Sequence, residues 1–225
     1  MSKKVALILS GCGHMDGAEI TEAVSLNICL LEAGFEVAFF APDRLQRDTV
    51  NHITRTEQTD TRNILIESAR IARGAIESLE KLNVANYEAI VLAGGFGAVK
   101  NFTNFLEEGS NACLKTDIGR VLTEALTQRK ALVGICAAPL MLAMAVKQSG
   151  NKGQQITFGT REQSMDFLSV IEPWGVEHIE TAINQCHVDT RYRLVTGAAY
   201  MYDSASALEV FAGARAAVQG LLGLL

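Results

Sequence analysis

Several things are scarce in this chain, and each scarcity narrows what it can be. Basic residues do not predominate: 20 Lys and Arg against 25 Asp and Glu give a formal charge of −5, so no basic patch for nucleic acid is expected. Apolar runs are mostly five to seven residues, against the roughly 20 needed to cross a bilayer, so no membrane span is expected. The basic start, MSKKVALILSGCG, leads into Gly-Cys-Gly rather than a cleavage site and reads as a first strand. Five cysteines (Cys12, Cys29, Cys113, Cys136, Cys186) are odd in number, scattered and without a CxxC pair. That offers no metal site and suits a reducing cytoplasm. GxGxxG is absent and no Gly-Lys-Ser/Thr follows a glycine turn, so no phosphate fingerprint is present. There is no internal repeat, low-complexity stretch or linker, and the expectation is one α/β domain over residues 1–225.

What is present is a chain of 225 residues, 48% hydrophobic, enough for a well-filled core. Residues 5–10 (VALILS) form a buried-type strand, 18–33 a helix stopped by Gly34, and 35–40 (FEVAFF) a second strand. This β-α-β unit is the mark of a parallel sheet. Residues 44–60 are polar without period and read as a surface excursion. A helix over 63–76, a strand at 89–93, a helix at 117–128 and a strand at 131–135 follow. Beyond them lie a short strand at 155–158, a helix at 162–171, a further strand near 176–179, a hairpin over 183–196 and a closing helix from 204.

The chain is organised around Lys130 to Met144, KALVGICAAPLMLAM. A buried strand runs into Cys136, and Pro139 suits the first turn of the helix beyond. Gly134-Ile-Cys136-Ala-Ala138 has the small-x-nucleophile-x-small spacing of a nucleophile elbow. A thiol there faces open helix N–H groups, which favour the thiolate. The plainer reading is a cysteine filling the core. Ligands of parallel sheets sit beyond the carboxyl ends of the strands. Gly94-Gly-Phe-Gly97, after the 89–93 strand, lets backbone N–H groups approach a ligand, and together with the N–H of Ala137 one of them suits an oxyanion. Read plainly, the same glycines are only a turn.

Thiolate chemistry needs a proton handler. Glu22 sits among apolar neighbours on the first helix, where low dielectric raises a carboxyl. Glu19, in the first turns, reads as a complement to the helix dipole. Of the histidines, His14 follows the first strand, His52 lies in the excursion and His187 on the hairpin. His178-Ile-Glu180 puts two polar side chains on one strand face and makes His178 a candidate contact. Cys12, on the same sheet edge, is a candidate resolving thiol.

GICAAP, LAGGFGAVKNF and Gly17-Ala-Glu-Ile-Thr-Glu22 together resemble the ThiJ/PfpI superfamily of the class I glutamine amidotransferase-like fold. SGCGHMDGAEITEAV, FAPD, TRNILIESARIARG and LVTGAAYM are similar to its ElbB-like group, the "enhancing lycopene biosynthesis" or sigma cross-reacting proteins. The resemblance implies a flavodoxin-like sandwich, a cofactor-independent and glutathione-independent glyoxalase acting on a small dicarbonyl, and a homodimer. It also implies Cys136 as nucleophile, Glu22 as its partner, and Gly95 and Ala137 as oxyanion donors. A redox-sensing or chaperone-like role, with oxidised Cys136 capped by Glu22, is the alternative. Two stretches depart from the superfamily pattern. Ile156-Thr-Phe-Gly-Thr160 stands where many of its enzymes place a histidine, and Ala198-Ala-Tyr200 where glutaminases have theirs.

Overall fold

Strands that bury both faces need helices on both sides, and this chain supplies the two in alternation. The structure, a computed structural model, describes residues 3–225. The first half contains β1 (Lys4–Ile8), α1 (Ile20–Glu32), β2 (Glu36–Ala41), β3 (Thr49–Asn51), β4 (Thr56–Gln58), α2 (Ile64–Ile71), β5 (Ile76–Ser78) and β6 (Ala89–Leu92). Then come α3 (Phe96–Phe102), α4 (Phe105–Glu108), α5 (Thr116–Thr127), β7 (Ala131–Ile135) and α6 (Pro139–Gln148). The last part holds β8 (Gln155–Ile156), α7 (Arg161–Ile171), β9 (Glu177–His178), β10 (Cys186–Asp189), β11 (Leu194–Gly197) and α8 (Ala207–Leu222).

Seven strands make the main sheet in the order β10-β11-β7-β6-β1-β2-β5. All its pairings are parallel except that of β10 with β11. Chain order runs outward from β1 to β2 and β5, then returns to the other side of β1 for β6 and β7. The sheet therefore reverses between β1 and β6, the position where open α/β sheets bind ligands. The three central strands carry fully buried Leu7, Ile8, Val91, Leu92, Leu132 and Val133, matching their near-continuous apolar sequence. Every residue of α6 from Pro139 to Val146 is buried, so this helix has no polar face. No helix among the described residues is long and apolar enough to cross a membrane.

Three expectations need correction. The helix expected to reach residue 76 stops at Ile71, and Ile76–Ser78 forms β5, an edge strand. Arg73 and Gly74 both take positive φ there, which ends the helix. The polar stretch 44–60 is also not featureless. It holds the β3–β4 hairpin, whose exposed β4 residues leave no apolar alternation to read. In addition, the expected strands at 155–158 and 176–179 shrink to β8 and β9, which pair in a small sheet of their own.

Candidate active site

Cys136 follows β7 directly and has φ 59°, the left-handed region that a side chain enters only at a cost. This is the backbone of a nucleophile elbow. The flanking residues must be small because the turn is crowded. The residue is 7% exposed, and it lines a cavity of about 610 Å³. Backbone N–H groups of Gly95 and Ala137 both donate to its sulfur.

The neighbouring turn is built for close approach. A Cβ on Gly94 would lie 2.6 Å from the Cys136 Cβ, 2.6 Å from the Ile135 carbonyl oxygen and 2.8 Å from Glu22 Oε2. Gly95 has φ 99°, and a side chain there would meet the Gly17 carbonyl at 2.7 Å. The glycines thus leave room for a carboxyl, a thiol and an N–H group at one point.

Glu22 is that carboxyl. Glu19 caps α1 by accepting from the Glu22 N–H at 2.7 Å, so Glu22 falls in the first turn with its side chain aimed at the sheet edge. It is fully buried, and its Oε2 accepts from the Gly94 N–H at 3.0 Å. Oε1 accepts a longer bond from the Tyr200 N–H at 3.4 Å, and Glu22 shares a hydrogen bond with Cys136. Burial is the main cause that pushes this carboxyl up to about 8, with the charge of Glu19 second. Its three hydrogen bonds oppose the rise without cancelling it. Glu22 is therefore mostly neutral at pH 7.

The thiol does not follow the expectation from its helix. Burial pushes Cys136 well above the ordinary thiol range, and a charge on Glu22 would push it the same way. The N–H groups of Gly95 and Ala137 pull it down, but by less. Dehydration of the sulfur outweighs the helix terminus, because α6 begins inside the core rather than at a wet surface.

Asn101 holds the surrounding loops. Its Nδ2 donates to the Ser10 and Asp16 carbonyls at 2.9 Å each, and its Oδ1 accepts from the Arg47 N–H at 2.9 Å. The hairpin is tied to the same loop by a Val50 N–H bond to Asp16 Oδ2 at 2.7 Å and a Met15 N–H bond to His52 Nε2 at 3.3 Å. So the 44–60 excursion, read as surface, forms part of the cavity wall and delivers Arg55 to it. His14, Glu19, Phe167, Tyr200 and Asp203 line the wall as well. Arg55, Phe167 and Asp203 carried no signal in the sequence, since an isolated side chain on a loop or a helix has no spacing to read.

The structure brings Cys136, Glu22, Gly95 and Ala137 together and leaves His178 apart. His178 is half-buried in β9, where Nε2 accepts from the Phe158 N–H at 3.2 Å and the ring stacks on Phe158 at 6.3 Å. Phe158 in turn stacks on Phe167 at 5.4 Å, so His178 stands behind two rings rather than in the cavity wall. Its Glu180 neighbour accepts from the Arg161 N–H at the start of α7, a capping contact. Cys12 does not line the cavity either. β6 separates its strand from β7, a gap of about 10 Å between strands against the roughly 7 Å limit for a disulfide. Among the described residues, no group of three or more His, Cys, Asp or Glu side chains is placed to hold a metal.

A parallel sheet reversing at β1/β6, a left-handed cysteine after β7 and a glutamate from α1 beside it define the class I glutamine amidotransferase-like fold. No protein-family model matches the sequence. Curated relatives do. A rat protein called "ES1 protein homolog, mitochondrial" is 35% identical over 209 residues, covering 89% of this chain and 76% of the relative. The human "Glutamine amidotransferase-like class 1 domain-containing protein 3, mitochondrial" is also 35% identical, over 90% of this chain and 76% of its own. The chain belongs to this ES1, glutamine amidotransferase-like class 1 family. An Ehrlichia chaffeensis crystal structure, described as an isoprenoid biosynthesis protein with an amidotransferase-like domain, superposes with a TM-score of 0.89 at 29% identity, over 99% of this chain and 100% of that one. A Candida albicans glyoxalase III shares the fold alone, at a TM-score of 0.61 and 14% identity over 99% of this chain and 97% of its own.

Proposed function

We propose that the chain is a glyoxalase-type enzyme that converts glyoxal or methylglyoxal to the 2-hydroxy acid without glutathione. The observation that carries this reading is the fully buried Glu22 carboxyl, raised to about 8 and hydrogen-bonded to the Cys136 thiol. A carboxyl in that range holds a proton at rest and exchanges it readily, as a group serving both as acid and as base must.

The reaction divides into proton transfers that one carboxyl can serve. Sulfur of Cys136 bonds to the aldehyde carbon while one Glu22 oxygen takes the thiol proton and the other delivers a proton to the aldehyde oxygen. The product is a hemithioacetal, and the Gly95 and Ala137 N–H groups stabilise the negative charge that builds on oxygen. Glu22 next removes the C1 proton, and the C2 oxygen gains one, giving an enediol. Return of a proton to C2 and loss of one from the C1 oxygen leave a thioester. C1 has then been oxidised and C2 reduced within the substrate. Water cleaves the thioester, regenerating the thiol and releasing the acid. No metal or other cofactor enters this scheme, and His178 takes no part in it.

The same groups support a second reading, oxidation of Cys136 to a sulfinate capped by protonated Glu22. The N–H groups already on sulfur favour it, whereas the raised thiol disfavours it, because the thiolate is the species that peroxide attacks. The homodimer and a reducing cellular compartment belong to the proposal. The cysteine usage points to cytoplasm, whereas the names of the rat and human relatives place those proteins in mitochondria.

Turnover of glyoxal and methylglyoxal by the wild type and by Cys136→Ser tests the reading. We expect hydroxy-acid formation that is lost in the variant. Hydroxy acid formed equally by both proteins, or by neither, would overturn it. Mass spectrometry of Cys136 after mild peroxide separates the second reading, which expects a gain of two oxygens.

A further inference from the structure

The cavity is larger than a two-carbon or three-carbon dicarbonyl requires. Volumes near its 610 Å³ are those of pockets for drug-sized ligands, while methylglyoxal has only about five non-hydrogen atoms. One of the side chains that line it is a fixed cation, Arg55. The turn of the β3–β4 hairpin holds this residue at φ 59°, with its N–H donating to the Asn51 carbonyl at 2.7 Å. Asn51 Oδ1 fixes the turn further by accepting from the Ile53 and Thr54 N–H groups. Among the described residues, the Arg55 guanidinium has neither an ion-pair nor a hydrogen-bond partner. Most other arginines near the site loops are engaged: Arg44 with Asp117, Arg47 with Glu107 and Arg62 with Asp60. His14 stands beside it on the cavity wall, its ring edge-on to His52 at 5.0 Å and without a hydrogen bond of its own.

We propose that Arg55, with His14, receives an anionic group of the substrate, so that the substrate is a 2-oxoaldehyde bearing a carboxylate or phosphate at its far end. This rests on the glyoxalase reading for the aldehyde half and on the cavity alone for the anionic half. A guanidinium offers a carboxylate or phosphate two parallel N–H donors, which sets orientation as well as attraction. The aldehyde would then be presented to Cys136 from one direction, in a cavity whose wall also carries the apolar ring of Phe167. Two carboxyls also line the cavity. Glu19 caps α1 by accepting from the Glu22 N–H, and Asp203 is exposed on the rim; the charge of either opposes an anion, so the guanidinium must outweigh them at the point of binding.

Two measurements test the proposal, and the first does not depend on turnover. Cys136 is alkylated with iodoacetate and with iodoacetamide: sulfur bonds to the methylene carbon, iodide leaves and the thiol proton goes to solvent. The ratio of the two rates, referred to that of a small free thiol, reports attraction of the anion. We expect Arg55→Ala to lower the ratio by on the order of 10-fold, Arg55→Lys to restore part of it, and Asp203→Asn to raise it. Arg129→Ala, which removes a charge at the opposite end of β7, should leave it unchanged. An unchanged ratio in Arg55→Ala overturns the anionic half. Acetate and inorganic phosphate, as competitors of iodoacetate, distinguish a site fitted to carboxylate from one fitted to phosphate. The second measurement compares kcat/KM for 4,5-dioxopentanoate with that for its methyl ester. We expect the acid to be preferred and Arg55→Ala to abolish the preference; equal values in the wild type overturn the substrate class. If neither compound turns over, the glyoxalase reading fails, and the alkylation ratio still decides whether an anion is received.

Discussion

Two turns lie side by side on the sheet edge and solve the same backbone problem differently. β6 ends in Gly94-Gly95 before α3, and β7 ends in Cys136 before α6. Each puts a left-handed residue within three residues of its strand's end, Gly95 at φ 99° and Cys136 at φ 59°. Glycine does so without steric cost, whereas a residue with a Cβ loses roughly 1–2 kcal/mol. The first turn needs to offer only N–H groups and space, so glycine serves. The second must present sulfur, so the strain is kept. Strain here marks the position where a side chain is indispensable.

The strongest way to break the comparison is to put a side chain in the turn that has none. Gly94→Ala sets a methyl 2.6 Å from the Ile135 carbonyl and from the Cys136 Cβ, and 2.8 Å from Glu22 Oε2. The first of these is backbone and cannot rotate away. We expect a loss of about 3 kcal/mol in urea unfolding, with turnover abolished because the carboxyl and thiol are forced apart. A variant that unfolds like the wild type would mean that the two turns are less closely packed than their geometry requires.

That crowding also explains what the sequence could and could not convey. The parallel α/β sandwich was legible because β1, β6 and β7 are short apolar runs separated by amphipathic helices. The Cys136 elbow was legible because small residues must flank a strained nucleophile. Glu22 was a surface charge by its residue type and became a site candidate only through its apolar neighbours and the family resemblance. The position of His178 was not legible, since alternation on a strand says which face a side chain takes but not what packs against it. Arg55 was hidden for another reason: β4 is exposed along its whole length, so the stretch that carries it shows no pattern.

The next largest effect concerns the carboxyl that the glycine turn admits. Burial raises Glu22 from 4.5 to about 8, so between those values the folded chain holds a proton that the unfolded chain has released. Stability contributed by this group therefore falls as pH rises through that window, and the loss is complete above pH 8. Glu22→Gln escapes it. At pH 7 the gain is on the order of 3 kcal/mol, offset by about 1 kcal/mol because the amide has one oxygen for two N–H donors. We expect the Tm of the variant relative to wild type to increase from pH 5 to pH 9, while glyoxal turnover drops by on the order of 10²-fold. A constant Tm difference across that range would place the carboxyl in water rather than in the core.

A smaller effect sharpens the contrast between the two left-handed residues themselves. Cys136→Ala and Cys136→Gly both delete the sulfur, but only glycine relieves the strain. Elsewhere an alanine is the more stable choice, because glycine loses more freedom on folding. At Cys136 the order should reverse, with glycine ahead by up to about 1 kcal/mol. Chemical denaturation of the two variants checks it, and alanine in the lead would show that the elbow is not strained.

The smallest expected change is in how Cys136 titrates, and it separates the two largest causes that raise its thiol. Burial comes first and acts on the neutral-to-charged step whatever stands nearby. The Glu22 charge comes second and exists only once that carboxyl has ionised, near pH 8. Glu22→Gln removes the second cause and keeps the first, because an amide of the same shape leaves the sulfur just as dry. The N–H groups of Gly95 and Ala137 still donate to sulfur and still favour the thiolate. The pH at which iodoacetamide alkylation of Cys136 reaches half its limiting rate should therefore fall in the variant, yet stay above the value of about 8.5 typical of an exposed thiol. Peptide mapping by mass spectrometry isolates this residue from the exposed Cys113. If the midpoint is the same in both proteins, burial alone sets the thiol and the carboxyl acts only as a proton carrier. If it falls below the exposed-thiol value, the N–H groups of the glycine turn and of α6 outweigh burial, and the elbow holds a thiolate after all.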